Sequence, residues 1–125
     1  MKVLYHHPAG ARLRRRFAEL AKDDIAVTVV ETAAGPVLDA ALADTEVLWH
    51  CLYPIDAAFL KKAPKLRLIQ KIGVGVNTID RQTAAARGVT VCNLPGSNAP
   101  AVAEHTLALM LATLRQLPQL DAAMR

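Results

Sequence analysis

The sequence predicts an α/β fold, a five-stranded parallel sheet with helices on both faces. Three observations carry this. Five short runs rich in Val, Ile and Leu have the length of strands. Segments of helical character separate each run from the next, and strands joined through helices run parallel. The chain has 125 residues, 53% hydrophobic and 21% charged, which is enough apolar material for a real core and excludes a disordered chain.

The elements follow in order. Lys2 to Tyr5 reads as a short strand and His6-His7-Pro8-Ala9-Gly10 as the loop after it. Ala11 to Lys22 is an amphipathic helix with Leu13, Phe17 and Leu20 on one face. Arg12, Arg15, Arg16 and Glu19 lie away from that face, so the Arg14-Arg15-Arg16 run reads as a solvated surface. Ile25 to Val30 is a β-branched strand. Pro36 to Ala43 is a short helix, Glu46 to His50 a third strand, and Asp56 to Lys62 a helix that Asp56 can cap.

Leu66 to Ile72 is the fourth strand, bounded by Pro64 and Gly73. Gly73 and Gly75 let the backbone turn sharply after it. Asp80 can cap a short helix that Gly88 ends, and Val89 to Cys92 is the fifth strand. Asn93-Leu94-Pro95-Gly96-Ser97-Asn98 is a turn-rich loop. A long apolar helix begins near Ala99 or Pro100, and Pro118 is expected to bend or end it. Right-handed crossovers leave few topologies, of which the flavodoxin-like order 2-1-3-4-5 is favoured. The domain reading is a flavodoxin-like unit over residues 1–98 and a helical segment over residues 99–125.

In such a sheet, ligands bind outside the carboxyl ends of the strands. Here those ends are His6-His7, Trp49-His50-Cys51, Gly73-Val74-Gly75 and the loop from Asn93 to Asn98. Gly73-Val74-Gly75 invites a dinucleotide reading, but that fingerprint needs a third glycine where Thr78 stands, and a helix opening directly on it. Two readings remain. One is a tight turn, and the other is a backbone anion nest whose N–H groups point into a cleft.

Other chemistry is sparse. His6 and His7 are adjacent in an extended strand and point to opposite sides, so joint metal binding is not expected. His50 and His105 have no carboxylate partner at a useful spacing, and no HExxH pattern exists. Cys51 and Cys92 fall in strands three and five, about 9–10 Å apart by strand spacing, beyond disulfide reach. Both read as small buried residues, and their spacing suggests a reducing cytoplasm rather than a metal site. A net charge of +4 with 4% aromatics lacks the stacking residues of nucleic-acid binders. The window from Val102 to Leu117 contains Glu104, His105 and Arg115 and is shorter than the roughly 20 residues of a membrane span. Leu107, Leu109, Met110, Leu111 and Leu114 point around this helix, which therefore needs cover from a second domain or another copy. Alone, it predicts self-association through residues 99–117.

The run Gly73-Val74-Gly75-Val76-Asn77-Thr78-Ile79-Asp80, then Ala85 to Val91, Asn93-Leu94-Pro95-Gly96-Ser97-Asn98 and Val102-Ala103-Glu104-His105, resembles the D-isomer-specific 2-hydroxyacid dehydrogenases. The stretch from Arg115 to Gln119 is similar to their phosphoglycerate dehydrogenase branch. The resemblance is strong from Lys65 to Arg125 and mostly one of pattern from Lys2 to Lys62. It implies a two-domain enzyme whose flavodoxin-like substrate domain is followed by a Rossmann domain that binds NAD or NADP. The helix near Ala99 would cross between the two. By resemblance, the turn at Val74 and Gly75 offers backbone amides to a substrate carboxylate, and Val74 also approaches the nicotinamide cofactor. Ser97 and Asn98 match a loop lining the cleft.

The family's catalytic arginine, glutamate and histidine, and its GxGxxG loop, would all lie beyond Arg125. The resemblance therefore places no catalytic residue in this chain, expects no tight cofactor binding by it, and expects it to be inactive alone. The branch's phosphate-binding arginine after strand three has Cys51 or Leu52 in its place, which argues against phosphoglycerate as substrate. The alternative is a stand-alone flavodoxin-fold binding or signalling module. A phospho-receiver, however, needs acidic residues after strand one and an Asp after strand three, and an FMN site wants a Ser/Thr-rich first loop. His6-His7-Pro8-Ala9-Gly10 and Trp49-His50-Cys51 supply neither.

Overall fold

A computed structural model describes all residues, Met1–Arg125. The strands β1 (Lys2–His6), β2 (Ala26–Val29), β3 (Val47–His50), β4 (Leu68–Lys71) and β5 (Thr90–Cys92) form one sheet in the order β2-β1-β3-β4-β5. Every pairing is parallel. This is the expected flavodoxin-like topology. β2, β3 and β5 are one or two residues shorter than their apolar runs and β4 is three shorter, whereas β1 runs one residue further than expected and takes in His6, which the sequence places in the loop. Leu66, for example, is buried in the approach to β4 rather than paired within it.

Between the strands lie α1 (Ala11–Glu19), continued by a 3-10 turn over Leu20–Asp23, α2 (Pro36–Leu42), α3 (Ala57–Lys61) and α4 (Arg81–Ala86). The caps act as the sequence suggests. Asp56 accepts from the Phe59 N–H at 2.7 Å, and Asp80 accepts from the Thr83 N–H at 3.0 Å and the Thr83 hydroxyl at 2.6 Å. Gly88 ends α4 in the left-handed region, at φ +72°.

Period-two alternation sorts the strand residues between two faces. Leu4, Leu48 and Ile69 meet Leu38 and Leu42 of α2, Phe59 and Leu60 of α3 and Ala84 of α4 in one buried core. On the other face Phe17 of α1 packs on Tyr5 and Trp49, with ring centroids 5.0 and 5.5 Å apart. That cover does not extend across β5, where Thr90 and Cys92 are exposed. The expectation that both cysteines are buried is therefore corrected. Cys92 sits on the uncovered face of an edge strand, and Cys51 lies half-buried just past β3, its Sγ 3.8 Å from the Tyr5 hydroxyl. Arg14 is also more than a solvated residue. Its Nε donates to the Ala9 carbonyl at 2.8 Å, and its guanidinium pairs with Glu31 at 2.5 Å.

By compactness the chain divides into Met1–Pro95 and Gly96–Arg125. The second unit holds α5 (Ala99–Leu114) and α6 (Leu117–Met124), with no buried residue in either helix. The break falls at Gln116, in the left-handed region at φ 52°, and not at Pro118. Pro118 instead sits in the first turn of α6, where the missing N–H has no intrahelical partner to lose. No helix is long and apolar enough to cross a membrane.

Candidate anion site at the carboxyl rim

β4 delivers the chain to the rim, where Gly73, at φ +150°, takes a backbone conformation that side-chain-bearing residues rarely adopt. The strand is held up to that point by the Ile72 N–H, which donates to the His50 carbonyl at 2.8 Å. Two bonds from the segment after β5 then fix the turn. The Leu94 N–H donates to the Gly73 carbonyl at 3.0 Å, and the Asn93 side-chain amide donates to the Val74 carbonyl at 2.8 Å.

These bonds orient the neighbouring amides. In a planar trans peptide the C=O and the following N–H point in opposite directions. Holding the Gly73 and Val74 carbonyls toward Asn93 and Leu94 aims the Val74 and Gly75 N–H groups away from that segment. Neither N–H donates to a protein acceptor, and both residues are exposed. Two adjacent, free, similarly directed amides form a small concentration of positive potential, suited to a carboxylate oxygen pair.

Beneath this turn lies a row of polar groups that local pattern reading passed over. His6 stands in register with His50, and His50 with Lys71, so all three project to the face that holds the core. All are buried. The His6 Nε2 is 2.9 Å from the Thr32 carbonyl and the His50 Nε2 2.6 Å from the Tyr53 carbonyl, each tying a rim loop to the sheet. The Nδ1 atoms of both have no partner. His6 also stacks on Phe59 and lies against Tyr53. Burial holds both imidazoles below the usual histidine pKa, and the Lys71 charge and His6 add to that effect at His50. The Lys71 ammonium donates to the Cys51 carbonyl, and its Cε lies 3.5 Å from where a Cβ on Gly73 would stand. These groups support the rim from below and do not open onto it. The signal was available: each follows a core aliphatic by two residues, at Leu4, Leu48 and Ile69.

The remaining candidates divide by unit. Val74 and Gly75 belong to the first. Ser97 and Asn98 belong to the second, both exposed, with the Asn98 carbonyl receiving the Val102 N–H at 2.9 Å. His7 is half-buried, opposite in facing to His6 as alternation requires, and His105 is exposed on α5. No cluster of three metal-ligating side chains exists.

A parallel sheet of this order defines an α/β domain of the flavodoxin-like class, in which the carboxyl rim is the edge where ligands of such sheets are found. The chain belongs to the D-isomer specific 2-hydroxyacid dehydrogenases, matching the model of their catalytic domain over residues 4–121. It is 49% identical over 71 residues to the D-3-phosphoglycerate dehydrogenase of Mycobacterium bovis, a match that covers 57% of this chain and 13% of that protein. A structure from Thermus thermophilus superposes with a TM-score of 0.83 at 28% identity, over 98% of this chain and 39% of the other. An NADPH-dependent glyoxylate/hydroxypyruvate reductase from Sinorhizobium meliloti, in complex with NADP and malonate, superposes at 0.75 with 26% identity, over 94% and 35%. The chain thus spans well under half the length of these proteins.

Proposed function

We propose that this chain is the substrate-binding part of an NAD(P)-dependent D-2-hydroxyacid dehydrogenase. The observation that carries the reading is the pair of free amides at Val74 and Gly75, turned the same way at an open rim. They would receive the carboxylate of a small 2-hydroxyacid or 2-oxoacid. The exposed Val74 side chain would face the nicotinamide, and Ser97 and Asn98 would line the cleft. The cofactor's chemistry is hydride transfer at C2 of the acid. Its diphosphate finds no cradle here, because Thr78 stands where the third glycine is needed and α4 begins only at Arg81. The reading therefore assigns the nucleotide site and the acid/base pair to a domain outside these residues, and places the protein in a reducing cytoplasm.

The loop after β3 presents half-buried Cys51 and exposed Leu52, neither of them a cation. This supports an unphosphorylated acid as the substrate. Titrating isotope-labelled chain with millimolar pyruvate is expected to move the Val74 and Gly75 amide resonances, with no stronger response to 3-phosphoglycerate. Pyruvate and NADH together with the chain are expected to give no turnover. Unmoved amides at Val74 and Gly75, or measurable NADH oxidation, would each reject this reading.

The same reading includes a homo-oligomer formed through residues 99–117. Val102, Leu107, Leu109, Met110, Leu111 and Leu114 are each more than half exposed on α5. An apolar surface of that kind on a free chain favours pairing with its own copy. Sedimentation at micromolar concentration should show a species larger than the monomer, and a Leu107→Glu, Leu111→Glu double variant should return it to monomer. A wild-type chain that sediments as a monomer throughout refutes the pairing.

A further inference from the structure

We propose that Asn93 is a positioning residue for carboxylate binding at the Val74–Gly75 turn. The inference rests on the anion-site reading above. Asn93 Nδ2 is the only side-chain donor bonded to this turn, at 2.8 Å from the Val74 carbonyl oxygen.

The two peptides of the turn are held differently. The Gly73–Val74 peptide is fixed by a backbone donor, the Leu94 N–H, which no substitution at position 93 removes chemically. The Val74–Gly75 peptide is fixed by Asn93 alone. Rotating that peptide plane changes ψ of Val74 and φ of Gly75 in opposite senses. Glycine accepts either sign of φ at little steric cost, so Gly75 does not resist the rotation. Once rotated, the Gly75 N–H turns toward the β5 side and leaves the Val74 N–H unaccompanied. Asn93 therefore determines whether the site has two convergent donors or one. Its position at the carboxyl end of β5 follows from the short strand Thr90–Cys92, whose register with β4 carries residue 93 to the height of the turn.

The test compares wild type, Asn93→Ala and Asn93→Asp by amide resonances during pyruvate titration. Asn93→Asp keeps the shape and replaces the donor by an acceptor that repels the Val74 carbonyl. Both variants are expected to bind pyruvate about five- to tenfold more weakly, in line with the loss of one hydrogen bond. The decisive readout is residue-specific. The Val74 amide should still respond to pyruvate while the Gly75 response disappears, and the Ile69 and Val91 amides should stay where they are in wild type. A merely structural role would move all four. Equal affinity with both amides responding in Asn93→Ala overturns the inference and leaves the anion site standing. A wild-type chain whose amides ignore pyruvate overturns the site itself, and the inference with it. Wild type offers a check that needs no variant: a through-hydrogen-bond coupling from the Asn93 side-chain nitrogen to the Val74 carbonyl carbon is expected in the pyruvate-bound state, and its absence there refutes the proposal.

Discussion

Leu48→Ala is expected to destabilise the first unit by about 2–5 kcal/mol, the range for truncating a fully buried leucine. Leu48 is the middle of the core face. It is inaccessible to solvent and stands in register with Leu4 on one side and Ile69 on the other. Removing its branch leaves a cavity at the centre of the sheet, which backbone pairing on both sides prevents from closing. A domain of this size has roughly 5–15 kcal/mol of total stability, so the loss is a large share of it. Urea titration would show the midpoint displaced with an unchanged slope. The comparison is Leu13→Ala on α1, where the side chain is 37% exposed and the cost should be under about 1 kcal/mol. Equal midpoints for the two variants would contradict the placement of the core on the α2–α4 face.

Acidification is expected to weaken the fold before any carboxylate titrates. His6 and His50 both have folded pKa values below the ordinary 6.5, chiefly through burial. At His6 the Thr32 carbonyl opposes that shift and the His7 charge reinforces it. At His50 the Tyr53 carbonyl opposes it while Lys71 and His6 reinforce it. Above 6.5 both are neutral in either state and the stability is fully present. As pH falls through that value the unfolded chain takes up protons that the folded one refuses, so stability declines until the folded imidazoles also protonate. The carboxylates act elsewhere on the scale. Asp44 is held down to about 2 by Lys2 and Lys65, and Asp80 is lowered by Thr83, so their contributions are present above their unfolded pKa values and are lost only in stronger acid. Urea midpoints measured from about pH 7.5 to about pH 5.5, across the ordinary histidine range, should fall. A His6→Gln, His50→Gln double variant should lose most of that slope. A wild-type midpoint constant over the interval would exclude a buried, neutral pair.

The two predictions depend on different amounts of sequence information. The strands and helix starts were legible because Leu4, Leu48 and Ile69 each lie in a short apolar run and Asp56 and Asp80 are recognisable caps, whereas the face that holds the core became plain only once the helices were seen packed on it. The histidine row was legible in principle by period-two alternation, two residues further along each strand. It was not visible residue by residue, because nothing local to His6 or His50 says that Lys71 belongs to the same row across the sheet. Cys92 shows the reverse failure. A small apolar-like residue in a strand reads as buried, but an edge position on the face that α1 does not reach leaves it exposed.

The sequence by itself determined the parallel topology, the rim on which Val74 and Gly75 sit, and the apolar helix after Asn98, because periodicity, caps and glycines act over a few residues. Only the tertiary structure decided which way the two amides point. Their direction is set by carbonyls bonded to Asn93 and Leu94, some twenty residues away along the chain and brought alongside by the β4–β5 pairing.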